Sequence, residues 1–209
     1  MHHHAPSLAV LSALPGNPEA LKCKCVALLH LSRFPAVLPL TDGKPELLFE
    51  RAYALYRMGR LEDVKALLTS AEAKASTDPR LEQLLGQALY KLGEFSKTVT
   101  AYGALFEAEK DSADLATNLT AALVSSGAYE EVLSRPDLAP ERWVPHPDCF
   151  ELRYNVACAH LALGNVSQAI ELIAEAQSIC NEVLVEEGLS PADILKETAN
   201  LRKQQAYAL

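Results

Sequence analysis

Three features of this 209-residue chain predict an all-α fold of stacked helical hairpins. The first is a recurring turn signature, a small residue followed two positions later by an apolar one. It occurs at Ser32/Phe34, Gly59/Leu61, Gly93/Phe95, Gly127/Tyr129 and Gly164/Val166. The second is the spacing of those small residues, with successive steps of 27, 34, 34 and 37. The third is an apolar i, i+3, i+4 pattern after each turn and small residues before it, which lets paired helices approach closely.

A period of 34 built from helix pairs marks a tetratricopeptide array, a right-handed superhelix whose hairpins bury a shared core and present a concave face. In the second unit Ala52 and Leu55 lead to Gly59, and Val64, Leu67, Leu68 and Ala71 follow it. In the third, Gly86 and Leu89 lead to Gly93, and Val99, Tyr102 and Leu105 follow. The fifth runs Ala157, His160, Gly164, then Ala169, Ile173 and Ala176, with His160 expected in a buried place. The first unit is short, because Pro39 and the stretch Thr41-Asp42-Gly43-Lys44-Pro45 stop its second helix early.

Residues 5–133 thus hold repeats 1–4. A helix of the fourth ends near Leu133, and residues 134–148, with Pro136, Pro140, Pro145 and Pro147, form a semi-rigid extended linker. Trp143, the one tryptophan, is expected to peg that linker against the helices. Residues 149–187 form repeat 5. Ser190-Pro191-Ala192-Asp193 then supplies a capping Ser, a Pro at the first helical position and an acidic capping-box residue. The final helix, within residues 188–209, either caps the array or begins a truncated repeat. Met1 to His4 read as a purification-tag remnant and take no part in site reasoning.

Composition narrows the function. The net charge of −8 disfavours nucleic-acid binding by this segment, since neutralising phosphates requires clustered Lys and Arg. On charge alone, a basic peptide suits it better as a partner. Five cysteines (Cys23, Cys25, Cys149, Cys158 and Cys180) are odd in number and scattered, which speaks for core fillers and against a disulfide framework. Two positions along a helix turn side chains about 200° apart, so Cys23 and Cys25 do not share a metal. No apolar run is long enough for membrane insertion and no secretory signal is present. Without a phosphate loop or a placed Ser, His and Asp set, the expectation is a non-enzyme without cofactor or metal.

In this architecture the first helix of each hairpin lines the concave side. The expected stripe lies thirteen, ten, nine, six, three and two positions before the turn residue. Within it Tyr53, Tyr56, Arg57, Gln87, Tyr90, Lys91, Asn118, Tyr154 and Asn155 are the candidate peptide-binding residues. Glu50, Leu84 and Cys158 fall in the same stripe. Asn118 and Asn155 share the ninth place, and an amide offers a donor and an acceptor to an extended peptide backbone. Capping or solvation is the alternative reading of both. Tyr and Arg are favoured interface anchors, with packing between hairpins as the alternative for each tyrosine.

Several segments carry a closer resemblance: Lys22-Cys23-Lys24-Cys25, Arg51-Ala52-Tyr53-Ala54-Leu55-Tyr56-Arg57, Gly86-Gln87-Ala88-Leu89-Tyr90, Thr117-Asn118-Leu119-Thr120-Ala121 and Tyr154-Asn155-Val156-Ala157-Cys158-Ala159. Over roughly residues 8 to 209 the chain resembles the N-terminal repeat domain of the seventy-two-kilodalton subunit of the eukaryotic signal recognition particle. The resemblance implies a partner, a C-terminal segment of the sixty-eight-kilodalton subunit held in the groove. It implies a cytoplasmic ribonucleoprotein, transiently at the endoplasmic reticulum, whose RNA is contacted only through a basic region beyond the repeats. A chaperone-type receptor for acidic C-terminal peptides fits less well: Lys22 is available for its carboxylate clamp, but Val26 stands where Asn is needed. A homodimer, formed when the partner is absent, is the third reading.

Overall fold

The computed structural model describes residues 17–143, 150–199 and 203, and every regular element among them is helical. Met1 to His4, Pro145, Pro147, Cys149 and, of the expected final stretch, residues 200–202 and 204–209 lie outside the described residues. The chain divides into two compact units, Met1–Glu94 and Phe95–Leu209.

The first unit holds helices α1 (Pro18–His30), α2 (Leu48–Arg57), α3 (Leu61–Leu68), α4 (Ala71–Ala75) and α5 (Pro79–Lys91). Polar caps set the starts of α1, α4 and α5. The Asn17 side chain accepts from the Glu19 and Ala20 amides, Ser70 from Ala73, and Asp78 from Arg80. Pro18 and Pro79 follow two of these caps at the position where a missing N–H costs nothing. The second helix of the first hairpin is reduced to two 3-10 turns, Phe34–Ala36 and Leu38–Leu40. Pro35 and Pro39 each remove an amide that a continuous α-helix needs. One apolar cluster joins Cys25, Leu28, Val37, Leu47 and Ala54; a larger one joins Leu48, Ala52, Leu55, Val64 and Leu68 to Leu81, Leu85, Ala88 and Leu89 of α5.

The second unit comprises α6 (Phe95–Ala108), α7 (Ala113–Ser126), α8 (Tyr129–Ser134), α9 (Phe150–Ala162), α10 (Val166–Glu186) and α11 (Pro191–Glu197). Its main core gathers Tyr102, Phe106, Leu115, Leu119, Leu123, Leu138, Trp143, Leu152 and Val156. After α8 the chain is not extended as the prolines suggest. Pro136–Leu138 and Pro140–Trp143 wind into 3-10 turns that bury Leu138, Pro140 and Trp143. Each proline opens its turn, where its fixed φ fits, and the apolar residues supply the driving force for folding back. The Trp143 ring lies 6.4 Å from that of Phe106, and its indole N–H donates to the Asp137 carbonyl at 3.2 Å. Beside them Arg135 pairs with Asp137 at 2.8 Å, which holds the Asp137 carboxyl below its ordinary range.

The recurring turn has a single geometry. Gly59, Gly93, Gly127 and Gly164 have φ between 74° and 82°, and Ser32 has φ 56°. In each copy two backbone bonds close the preceding helix. The Gly59 amide donates to Tyr56 and the Arg60 amide to Leu55; the Gly127 amide donates to Val124 and the Ala128 amide to Leu123. This is the Schellman arrangement, in which a left-handed residue reverses the chain and satisfies two orphan carbonyls. A sixth copy sits at Gly188, φ 81°, with the Leu189 amide donating to Leu184. It lacks the apolar residue two positions on, because that place belongs to Ser190, whose hydroxyl caps α11. Ser32 is the one described non-glycine with positive φ. A left-handed L-residue costs about 1–2 kcal/mol, partly offset by the extra unfolded-state freedom of glycine. Ser32→Gly is therefore expected to raise stability by about 0.5–1 kcal/mol, read as a higher urea midpoint.

Candidate protein-binding surface

On α2, Phe49, Tyr53 and the adjacent pair Tyr56 and Arg57 recur at intervals that keep them on one face. Phe49 and Tyr53 stack with ring centroids 5.9 Å apart. Arg57 donates to the Tyr53 hydroxyl at 2.9 Å and lies 4.8 Å above the Phe34 ring. Helix α5 adds two cations in matching places. Arg80, near its start, lies 4.0 Å over Phe49, and Lys91, at its end, lies 4.4 Å over Tyr56. Cation–π contacts of this kind contribute about 0.5–1 kcal/mol each at exposed sites and fix the position of otherwise mobile side chains. Arg80 is also bound by both carboxylate oxygens of Asp78, which lowers the Asp78 carboxyl and raises the guanidinium. Gln87 is half-buried on the same helix, and Tyr90 is exposed.

The stripe read from the sequence needs correcting at its ninth place. Glu50 is 2% exposed and Leu84 is 4% exposed, so this place faces the neighbouring helix in the first unit. In the second unit its occupants are Asn118 and Asn155, both half-buried. The Asn155 amide donates to the Thr117 carbonyl of α7 at 3.5 Å, a long bond joining successive first helices. For Asn118, no hydrogen bond to the side chain is found among the described residues. Both amides therefore stand at the edge of a helix–helix seam, each with hydrogen-bonding capacity to spare.

Tyr154 is half-buried and packs with Phe150 against Ala176 and Cys180 of α10. Burial, then the neighbouring Cys158, pushes its hydroxyl up to about 12, so it stays a protonated donor at neutral pH. Burial likewise raises the Cys158 thiol. His160 is half-buried rather than in the core. Its Nδ1 lies 3.4 Å from the Asn165 amide, and burial lowers its pKa. Cys23 is exposed and Cys25 buried. Among the described residues no group of three His, Cys, Asp or Glu is placed to hold a metal ion, and no helix is long and apolar enough to cross a membrane.

Helix pairs joined by left-handed turns at a repeat of 34, with an aromatic and polar face and no catalytic grouping among the described residues, define a repeat scaffold of the protein-binding class. Solved tetratricopeptide proteins share the fold. YrrB, described as a TPR protein with an unusual peptide-binding site, aligns with TM-score 0.66 at 16% identity, over 84% of this chain and 93% of its own. MamA MSR-1 C2 aligns with TM-score 0.63 at 15% identity, over 76% and 94%. Residues 12–126 match the family SRP_TPR_like, a TPR-like repeat, and the chain belongs to that family. Signal recognition particle subunit SRP72 of Canis lupus familiaris is 32% identical over 96% of this chain and 30% of its own length. That of Schistosoma mansoni is 29% identical over 96% and 28%. The chain is thus an SRP72 homologue and a non-enzymatic scaffold, spanning about a third of the length of these relatives.

Proposed function

We propose that this domain holds a C-terminal segment of the sixty-eight-kilodalton subunit of the signal recognition particle in the face lined by its first helices. It thereby contributes assembly, without catalysis, to co-translational targeting at the endoplasmic reticulum. The observation that carries this reading is the pair Asn118 and Asn155, half-buried at equivalent places on consecutive first helices. Amides so placed pair with the N–H and C=O groups of an extended strand whatever its side chains. Membership of the SRP_TPR_like family supports the choice of particle. Contact with the particle RNA is assigned to regions outside this chain, in keeping with the net charge of −8. The domain would act in the cytoplasm.

The test is calorimetry with the purified C-terminal segment of that subunit. Removing an amide leaves partner groups unpaired at a cost of roughly 1–3 kcal/mol, or roughly five- to one-hundredfold in affinity. Asn118→Ala and Asn155→Ala are each expected to weaken binding by that factor. Asn155→Ala also gives up its long bond to Thr117, so its melting temperature should fall by a few degrees, while that of Asn118→Ala stays near the parent. Parental affinity in both variants would reject this face as the binding site. Self-association that the segment does not dissolve would favour a homodimeric scaffold.

A further inference from the structure

The chain as a whole is acidic, yet the face built by α2 and α5 presents cations. Arg57 and Lys91 are exposed, and neither has a carboxylate partner among the described residues. Each is held instead against aromatic rings: Arg57 4.8 Å over Phe34 and 5.7 Å from the Tyr53 centroid, Lys91 4.4 Å over Tyr56. A cation resting on a ring keeps its charge and most of its donors turned outward. Its position is fixed before any ligand arrives, which reduces the ordering cost of binding. Arg80, by contrast, already has its charge balanced by Asp78. The nearby Glu50 is buried and offers little to a ligand. Beside the two outward charges lie the Tyr53 and Tyr56 rings, both half-buried, as apolar floor.

We infer that this strip on the first unit docks an acidic segment of a protein partner, its carboxylates meeting Arg57 and Lys91 and its apolar side chains lying on Tyr53 and Tyr56. The inference deepens the proposed function by assigning a chemistry to part of the bound segment, and it rests on that reading. It reverses what net charge alone suggests, because the −8 is summed over the whole surface while a ligand meets only the local field.

Two fluorescein-labelled 12-residue peptides test it, with identical Tyr and Leu positions and either Glu or Lys at every other place. A 12-nucleotide oligouridine serves as the RNA probe. Anisotropy on the intact chain is expected to show binding of the Glu peptide that weakens steeply with added salt. Arg57→Gln and Lys91→Gln should each lower its affinity roughly two- to fivefold, the range for exposed ion pairs. Both substitutions keep a polar stem on an exposed site, and circular dichroism verifies that helicity is unchanged. Tighter binding of the Lys peptide, displacement of the Glu peptide by oligouridine, or parental affinity in both Gln variants would overturn the inference. The proposed function is judged separately. If the sixty-eight-kilodalton segment binds and is weakened by Asn155→Ala while the Glu peptide fails, the acidic strip alone is rejected. If the Glu peptide binds as expected while the segment does not bind at all, the strip stands and the choice of subunit falls.

Discussion

Trp143→Ala is expected to lower the unfolding free energy by about 3–5 kcal/mol, the range for truncating a buried large aromatic. Such a loss is a large fraction of the roughly 5–15 kcal/mol that holds a typical domain together. Trp143 is 2% exposed and belongs to the cluster of Phe106, Leu138 and Leu152. Its neighbours cannot easily close the gap, because the residue sits at the end of a 3-10 turn fixed by Pro140. The Asp137 carbonyl also loses its donor. Trp143→Phe keeps a six-membered ring in place while the pyrrole part and its N–H are gone, so the loss should shrink to about 1–2 kcal/mol. Urea unfolding followed by circular dichroism measures both. A loss below about 1 kcal/mol for the alanine variant would mean that the turns are not anchored through this ring.

Ile173→Ala should cost about 2–5 kcal/mol, with a value in the upper half expected. Ile173 is fully buried, and its closest buried companions are Ala157 and Ala169. Alanines have no side chain to swing into a void, so only the partly buried Leu161 and Leu172, packed against the cluster, can fill part of it. The cavity therefore persists, and the cost rises with the volume that persists. Ile173→Val, one methyl smaller, should cost about 0.5–1.5 kcal/mol by the same measure. Equal losses for the two variants would show that the site collapses freely.

How much of this could be read in advance differs between fold and surface. The turns were legible because a left-handed residue is a local demand, met by glycine at positions 59, 93, 127 and 164 whatever surrounds them. The copy at Gly188 was hidden, since its following polar residue serves the next helix instead of the hairpin. The prolines after Leu133 signalled a break in helix but not its form, because Leu138 and Trp143 decide that by finding a core far away in sequence. On the expected stripe, the first unit departs from the sequence reading at the ninth place before the turn, where Glu50 and Leu84 are buried. Leu84 stands there in the third repeat, and a leucine at that place already pointed to contact with a neighbouring helix in the first unit. The contacts of Arg57, Arg80 and Lys91 with their rings had no such signal. Those of Arg80 and Lys91 depend on how α2 and α5 lie side by side, and that of Arg57 with Phe34 on how α2 meets the first 3-10 turn, which a pattern within one helix does not carry.

The lone indole, buried in the second unit, has a spectroscopic consequence. Tryptophan emission follows the environment of that unit alone, whereas far-ultraviolet circular dichroism sums over every helix in the chain. Two optical probes thus divide the molecule without a label. Superimposed denaturation curves would describe one cooperative body, and separated curves would give each half its own midpoint. The helices α2 and α5 belong to the first unit and Trp143 to the second, so a shift in emission when a ligand is held by α2 and α5 would report a change in the environment of the second unit.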